Sequence, residues 1–151
     1  VQSVEKNINA LLQEKNVLYH FEIPEDIYIK AVPAYLESIL LNLFTNSIKY
    51  SSPNRRPEIN ITTKVHKDNL IIDFSDNGQG IDLKRHGGKL FGMYKTFHQH
   101  KDAKGIGLFI TKNQIEAMNG KIEVKSKVDI GTTFILSFET YNEVSINKTS
   151  I

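Results

Sequence analysis

A chain of 151 residues, 40% hydrophobic and 24% charged, suits one soluble domain around one core. Its formal net charge of +2, with lysines and arginines interleaved among acids, argues against nucleic acid or a membrane surface as the main partner. Zero cysteines excludes disulfides and cysteine-based zinc sites and fits a cytoplasmic setting. No run approaches a membrane span, and the opening VQSVEKNINALLQEKN is too polar for a signal peptide.

In chain order, Val4, Ile8, Leu11 and Leu12 have helical spacing, and the abrupt helical start reads as that of a fragment. The alternating NVLYHFEIP predicts a strand ended by Pro24, and IYIKA from Ile27 predicts a short second strand. Pro33 suits the first position of a helix, where its missing N–H has no partner to lose. That helix is expected over 33–50, with Leu36, Ile39, Leu40, Leu43, Ser47 and Tyr50 on one face and Asn42, Asn46 and Lys49 on another. SSPNRRP stops it. EINITTKVH and LIIDFSD, separated by Lys67, Asp68 and Asn69, form a hairpin whose second strand ends at Asp76. Residues 77–104 carry little periodicity and several glycines, the pattern of a long functional lid. A helix follows from Gly105 through Leu108, Thr111, Ile115 and Met118, capped by Asn119 and Gly120. KIEVKSK and TTFILSFE are the last strands, turning at residues 129–131, and the tail from about Asn142 reads as frayed. The expected fold is an α+β two-layer sandwich, one mixed sheet with helices packed on one face.

Four separated pieces make sense together as a magnesium–nucleotide site. In NLFTNSIKY, Asn46 offers an amide oxygen, a hard ligand suited to Mg²⁺, and Lys49 a point charge for phosphate; the same face serves equally as a solvated one. In DNGQG, a carboxylate at a strand end followed by alternate glycines lets the backbone approach a flat ligand, and Asp76 can accept from an exocyclic amine such as that of adenine; an Asx-type turn has the same sequence. GIGL at 105–108 brings a loop into a helix N-terminus, an anion site or a simple hinge. In GTTF, Thr132 sits where it can hold a water or a base edge, and threonine is also a good strand former.

In this order the pieces resemble the N, G1, F, G2 and G3 boxes of the sensor histidine kinase catalytic domain, a member of the Bergerat-fold superfamily shared with gyrase, Hsp90 and MutL. The resemblance covers nearly the whole chain, from about Asn16 to Phe138, and the F box corresponds to LFGMY at 90–94. It implies a Bergerat-type sandwich with a long ATP lid, binding ATP and Mg²⁺. It implies Mg²⁺ on Asn46, with Asn42 beside the phosphates or the metal's water shell, Lys49 on phosphate, and Tyr50 flanking the nucleotide. Asp76 would bind the adenine amino group in a pocket shaped by Gly78, Gly80 and Ile81. Gly105, Ile106, Gly107 and Leu108 would close over the triphosphate, Phe91 would anchor the lid, and Thr132 would reach the adenine through water. One departure is that Ala103 and Lys104 replace the glycine and threonine of the fuller G2 form; Lys104 there either meets the γ-phosphate or is solvated.

Superfamily members that hydrolyse ATP carry a glutamate one turn before the metal-binding asparagine. Here that position is Asn42, whose amide is no general base, and Glu37 falls on the opposite side of the helix from Asn46. The resemblance therefore implies transfer to a histidine on a separate dimerisation domain, and from there to a response regulator, in a full-length homodimer. None of His20, His66, His86, His98 and His100 stands in the acceptor context, so the acceptor lies elsewhere. His86, His98 and His100 make a poor metal site for want of a fourth ligand, and the sequon at Asn147 reads as coincidence. The expected organisation is 1–15 as a helix or linker from a missing dimerisation domain, 16–141 as the ATP-binding domain, and 142–151 as the tail. A serine-directed anti-sigma-type kinase and an ATP-sensing module without phosphotransfer are the alternatives.

Overall fold

The computed structural model describes residues 2–92 and 104–141. Helix α1 (Gln2–Glu14) leads into β1 (Leu18–Glu22), α2 (Pro33–Lys49), the hairpin β2 (Glu58–His66) and β3 (Asn69–Asp76), and the short α3 (Leu83–His86) with a 3₁₀ turn at Gly87–Lys89. Helix α4 (Lys104–Ala117), β4 (Lys121–Lys127) and β5 (Gly131–Glu139) complete the order. The five strands form one mixed sheet in the order β1-β2-β3-β5-β4. Only β1 runs parallel to its neighbour, β2; the other pairs are antiparallel.

Alternation along the strands decides which face the helices cover. Ile59 and Ile61 of β2, Phe74 of β3, and Phe134, Leu136 and Phe138 of β5 are buried in one cluster with Ile8 and Leu12 of α1, Ile39, Leu43 and Phe44 of α2, and Leu108 and Ile115 of α4. The register sets Phe74 opposite Phe134, Ile61 opposite Phe74, and Val124 opposite Phe134, so one stripe crosses the sheet. Phe44 was absent from the core face read along the helix, yet its ring meets Phe74 edge-on at 5.0 Å and Phe21 of β1 at 5.8 Å. The expected α+β sandwich with helices on one face is what the chain adopts.

Two local expectations are corrected. IYIKA is no strand: it touches the sheet by a single bridge between Ile29 and Thr140, plus the bond from Tyr141 N–H to the Tyr28 carbonyl. Both edges of β5 are already taken by β3 and β4, so this segment meets it only beyond its end. The stretch read as an aperiodic lid contains α3, because Asp82 caps it by accepting from the N–H groups of Lys84 and Arg85 at 3.2 and 3.3 Å. At the end of α4, where Asn119 and Gly120 were expected to cap the helix, Asn119 takes the left-handed conformation (φ 58°). Gly120 is there for lack of room, since a Cβ would come within 2.8 Å of Phe138 and the Ser137 carbonyl. Residues 93–103 of the expected lid, with the histidines at 98 and 100, and the tail from Asn142 lie outside the described residues.

Candidate functional site

Helix α2 runs along the sheet so that its C-terminal half passes the end of β3. The N-terminal part of α4 and the start of β5 close the other sides. Between them lies a cleft lined by Asn46, Tyr50, Asp76, Gly80, Ile81, Leu108, Thr132 and Phe134. Apart from Phe134, these are residues singled out in the sequence, drawn from four segments. Phe134 lacked any signal beyond strand alternation, which marks it only as core.

Asp76 is the most constrained group in the cleft. One carboxylate oxygen accepts from Gly78 N–H at 2.9 Å and Thr132 N–H at 3.3 Å, and the other accepts from the Ser47 hydroxyl at 3.0 Å. Bonds from β5, from its own loop and from α2 thus fix the carboxylate's orientation. Ser47, buried, was read only as part of the helix's core face.

The glycines follow from close backbone approach. At Gly80 (φ 71°) a Cβ would overlap the Lys127 carbonyl, and at Gly131 (φ 148°) it would overlap the Asp76 carbonyl. At Gly78 it would sit 2.7 Å from the Tyr50 carbonyl. Ser126 completes this corner: its hydroxyl accepts from Ile81 N–H at 2.8 Å and bonds the Gly131 carbonyl and the Thr132 hydroxyl at 2.9 and 2.8 Å.

On α2, Asn46 has an amide nitrogen that is buried and unpartnered among the described residues. One turn earlier, the Asn42 amide does not line the cleft. It donates to the Thr111 hydroxyl at 3.2 Å and more weakly to the Gly107 carbonyl at 3.4 Å, joining α2 to α4. Thr111, completely buried, was read only as a point on the helical repeat. Lys49 is exposed, its ammonium 5.3 Å from the centre of the Tyr50 ring. Phe91, half-buried, packs edge-on against Phe134 at 6.5 Å, with the Lys112 ammonium 5.9 Å from its ring centre, and Leu90 beside it is buried. At Leu90 and Phe91 the expected lid is therefore tied to the core. Lys104 and Gly105 open α4; Ile106 is exposed, Gly107 is half-buried, and Leu108 lines the cleft. Among the described residues no group of three or more His, Cys, Asp or Glu side chains is arranged to hold a metal. No described helix is long and apolar enough to cross a membrane.

The profile of the family described as histidine kinase-, DNA gyrase B-, and HSP90-like ATPase matches residues 31–142. Among curated proteins, the autoinducer 2 sensor kinase/phosphatase LuxQ of Vibrio vulnificus is 30% identical over 152 residues, covering 91% of this chain and 17% of LuxQ. The histidine protein kinase SaeS of Staphylococcus aureus is 34% identical over 105 residues, 68% of this chain and 30% of SaeS. The chain thus spans less than a third of the length of either relative. Among solved structures, the catalytic domain of histidine kinase ThkA superposes with a TM-score of 0.75 at 24% identity, over 91% of this chain and 88% of that one. The mycobacterial sensor histidine kinase MprB gives 0.74 at 15% identity, over 92% and 94%. These last two likenesses show the fold.

Proposed function

The chain belongs to the family of histidine kinase-, DNA gyrase B-, and HSP90-like ATPases, and from that premise we propose that it is the ATP-binding catalytic domain of a two-component sensor histidine kinase. It holds Mg-ATP and presents the γ-phosphoryl group to a histidine on a separate dimerisation domain of the same kinase. A ring nitrogen of that histidine attacks the γ-phosphorus, the bond to the bridging oxygen breaks, and ADP leaves. A response regulator then takes the phosphoryl group. The setting is cytoplasmic and the full-length protein a homodimer.

The observation that carries this reading is the triply held carboxylate of Asp76 at the floor of the cleft. Its orientation is set before any ligand arrives, which suits it to accept from the amino group of adenine. Gly78, Gly80 and Ile81 shape the wall beside it, Tyr50 flanks the base, and Thr132 meets it through water. The unspent amide of Asn46 fits a hard cation: turning that amide about its last torsion exchanges nitrogen for oxygen at the same place. Mg²⁺ held there would neutralise phosphate charge. Lys49 and the N-terminus of α4, from Lys104 through Gly105, Ile106 and Gly107, supply further positive potential for the phosphates, and Phe91 anchors the lid. Asn42, without a basic atom, leaves water attack unassisted, which favours transfer over hydrolysis.

The test is to mix this domain with labelled ATP, Mg²⁺ and a separately made dimerisation domain. Acid-labile, base-stable phosphate on the partner is expected, and none on the domain itself. Asp76→Asn should bind ATP far more weakly, because its amide N–H₂ faces the base's own donor. ATP binding without transfer would point to a sensing module, and an Asp76→Asn variant that binds like the parent would sink the adenine assignment.

A further inference from the structure

We propose that Arg55 is a positioning residue for nucleotide-base recognition, a guanidinium clasp that sets the geometry of the Asp76 carboxylate. The inference rests on the nucleotide reading given above. Arg55 lies in the loop between α2 and β2, where RRP reads in sequence as no more than a helix stop. Its side chain is half-buried and donates three bonds to three main-chain carbonyls: Nε to Asn77 at 2.6 Å, and Nη2 to Gly78 at 2.7 Å and Asp129 at 2.8 Å.

Those carbonyls belong to the segments that hold Asp76. In the peptide joining Asn77 to Gly78, the carbonyl accepts from Arg55 and the N–H donates to Asp76. In the peptide joining Gly78 to Gln79, the carbonyl accepts from Arg55 and the N–H donates to the Tyr50 carbonyl at 2.9 Å. Two consecutive peptide planes around a glycine, the residue least able to hold its own dihedrals, are each pinned from both ends. The third bond reaches the β4–β5 turn at Asp129 (φ 64°), three residues before Thr132, the other main-chain donor to Asp76. One planar fork therefore links both N–H donors of the carboxylate. A lysine, with a single point charge, cannot reproduce that fork.

The adjacent Arg56 is an internal comparison. It makes two similar bonds, Nε to the Asn16 carbonyl and Nη2 to the Asn16 side-chain oxygen, both at 2.7 Å, but exposed and on the far side of the loop. If arginine–carbonyl bonds here are merely structural, the two should behave alike.

The experiment measures calorimetric binding of ATP and of inosine triphosphate, which lacks the 6-amino group, with Mg²⁺, alongside the melting midpoint. The proteins are the parent chain, Arg55→Ala, Arg55→Lys and Arg56→Ala. Arg55→Ala should lose about tenfold or more in ATP affinity, and its preference for ATP over inosine triphosphate should fall towards one. Arg55→Lys should lie between it and the parent, which also covers an alanine variant that does not fold. Arg56→Ala should lower the midpoint while keeping ATP affinity and base preference. A parent that discriminates the two nucleotides, with Arg55 variants that do so equally, overturns this inference alone. So does an Arg56→Ala that loses base preference as much as Arg55→Ala. A parent that binds neither nucleotide overturns the proposed function, and this inference with it.

Discussion

Replacing Thr111 with valine tests whether α2 and α4 are joined by a polar clip or only by apolar packing. Thr111 is completely buried, and its hydroxyl takes the Asn42 amide N–H at 3.2 Å. Valine has nearly the same shape, so the perturbation is the loss of one acceptor and the gain of one apolar group. Losing a neutral buried hydrogen bond costs about 1 kcal/mol, and leaving the amide with only the long contact to Gly107 at 3.4 Å adds up to about 1 more. The buried methyl returns about 0.8 kcal/mol. The balance is a destabilisation of about 1 kcal/mol, or a fall of about 2–4 °C in melting midpoint for a chain of this size. The assay is chemical denaturation of Thr111→Val, Asn42→Ala and the double variant. If the clip exists, the double variant is less destabilised than the sum of the singles by about 1 kcal/mol. Effects that add to within about 0.3 kcal/mol would refute the coupling.

The glycines at the cleft should divide by what a Cβ meets. Gly80→Ala and Gly131→Ala place it against main-chain carbonyls at positive φ, so each should destabilise the fold by more than about 1 kcal/mol and abolish nucleotide binding. At Gly107, among the described residues, it meets the Asn42 amide at 3.7 Å, inside a helix where alanine is favoured by about 1 kcal/mol, so Gly107→Ala should melt no lower than the parent in a thermal scan. Ser126→Ala strips the partner from Ile81 N–H and should cost about 1–3 kcal/mol by urea denaturation, with faster amide exchange at Ile81. Parent-like stability and exchange in that variant would show the bond to be dispensable.

What could be read from the chain alone tracks how local its cause is. Helix α2 was legible because Pro33 and a 3.6-residue repeat act within one element. The β2–β3 hairpin was legible because its alternation and turn are contiguous. Asp76 and the glycines could be listed from DNGQG and GTTF, but not why they cannot change: Gly80 is excluded from other residues by Lys127, and Gly131 by Asp76, each across a gap in sequence. IYIKA has good strand composition, yet whether a strand forms depends on an edge being open to receive it. Arg55, Ser126 and Thr111 were invisible for the same reason, since arginine in a loop, serine in a strand and threonine in a helix carry no local signature of a partner far along the chain.

Asn42 shows how the two kinds of information combine. By resemblance, its position holds the water-activating glutamate in hydrolysing relatives, so the sequence argument is one of missing basicity. The structure gives the same position a second constraint: the amide is a donor, facing the Gly107 carbonyl and the Thr111 hydroxyl. A glutamate there brings a carboxylate against a carbonyl oxygen, acceptor against acceptor, and only the hydroxyl can turn to meet it. Restoring the base therefore leaves the clip between the helix that bears Asn46 and the helix that begins at Lys104 with the Thr111 hydroxyl alone, and sets the carboxylate against the Gly107 carbonyl. On this reasoning Asn42→Glu should be less stable than the parent and should show no gain in ATP hydrolysis, measured as released phosphate. A single Asn42→Glu change that raised hydrolysis without loss of stability would mean that chemistry alone, and not the α2–α4 contact, dictates the residue at this position.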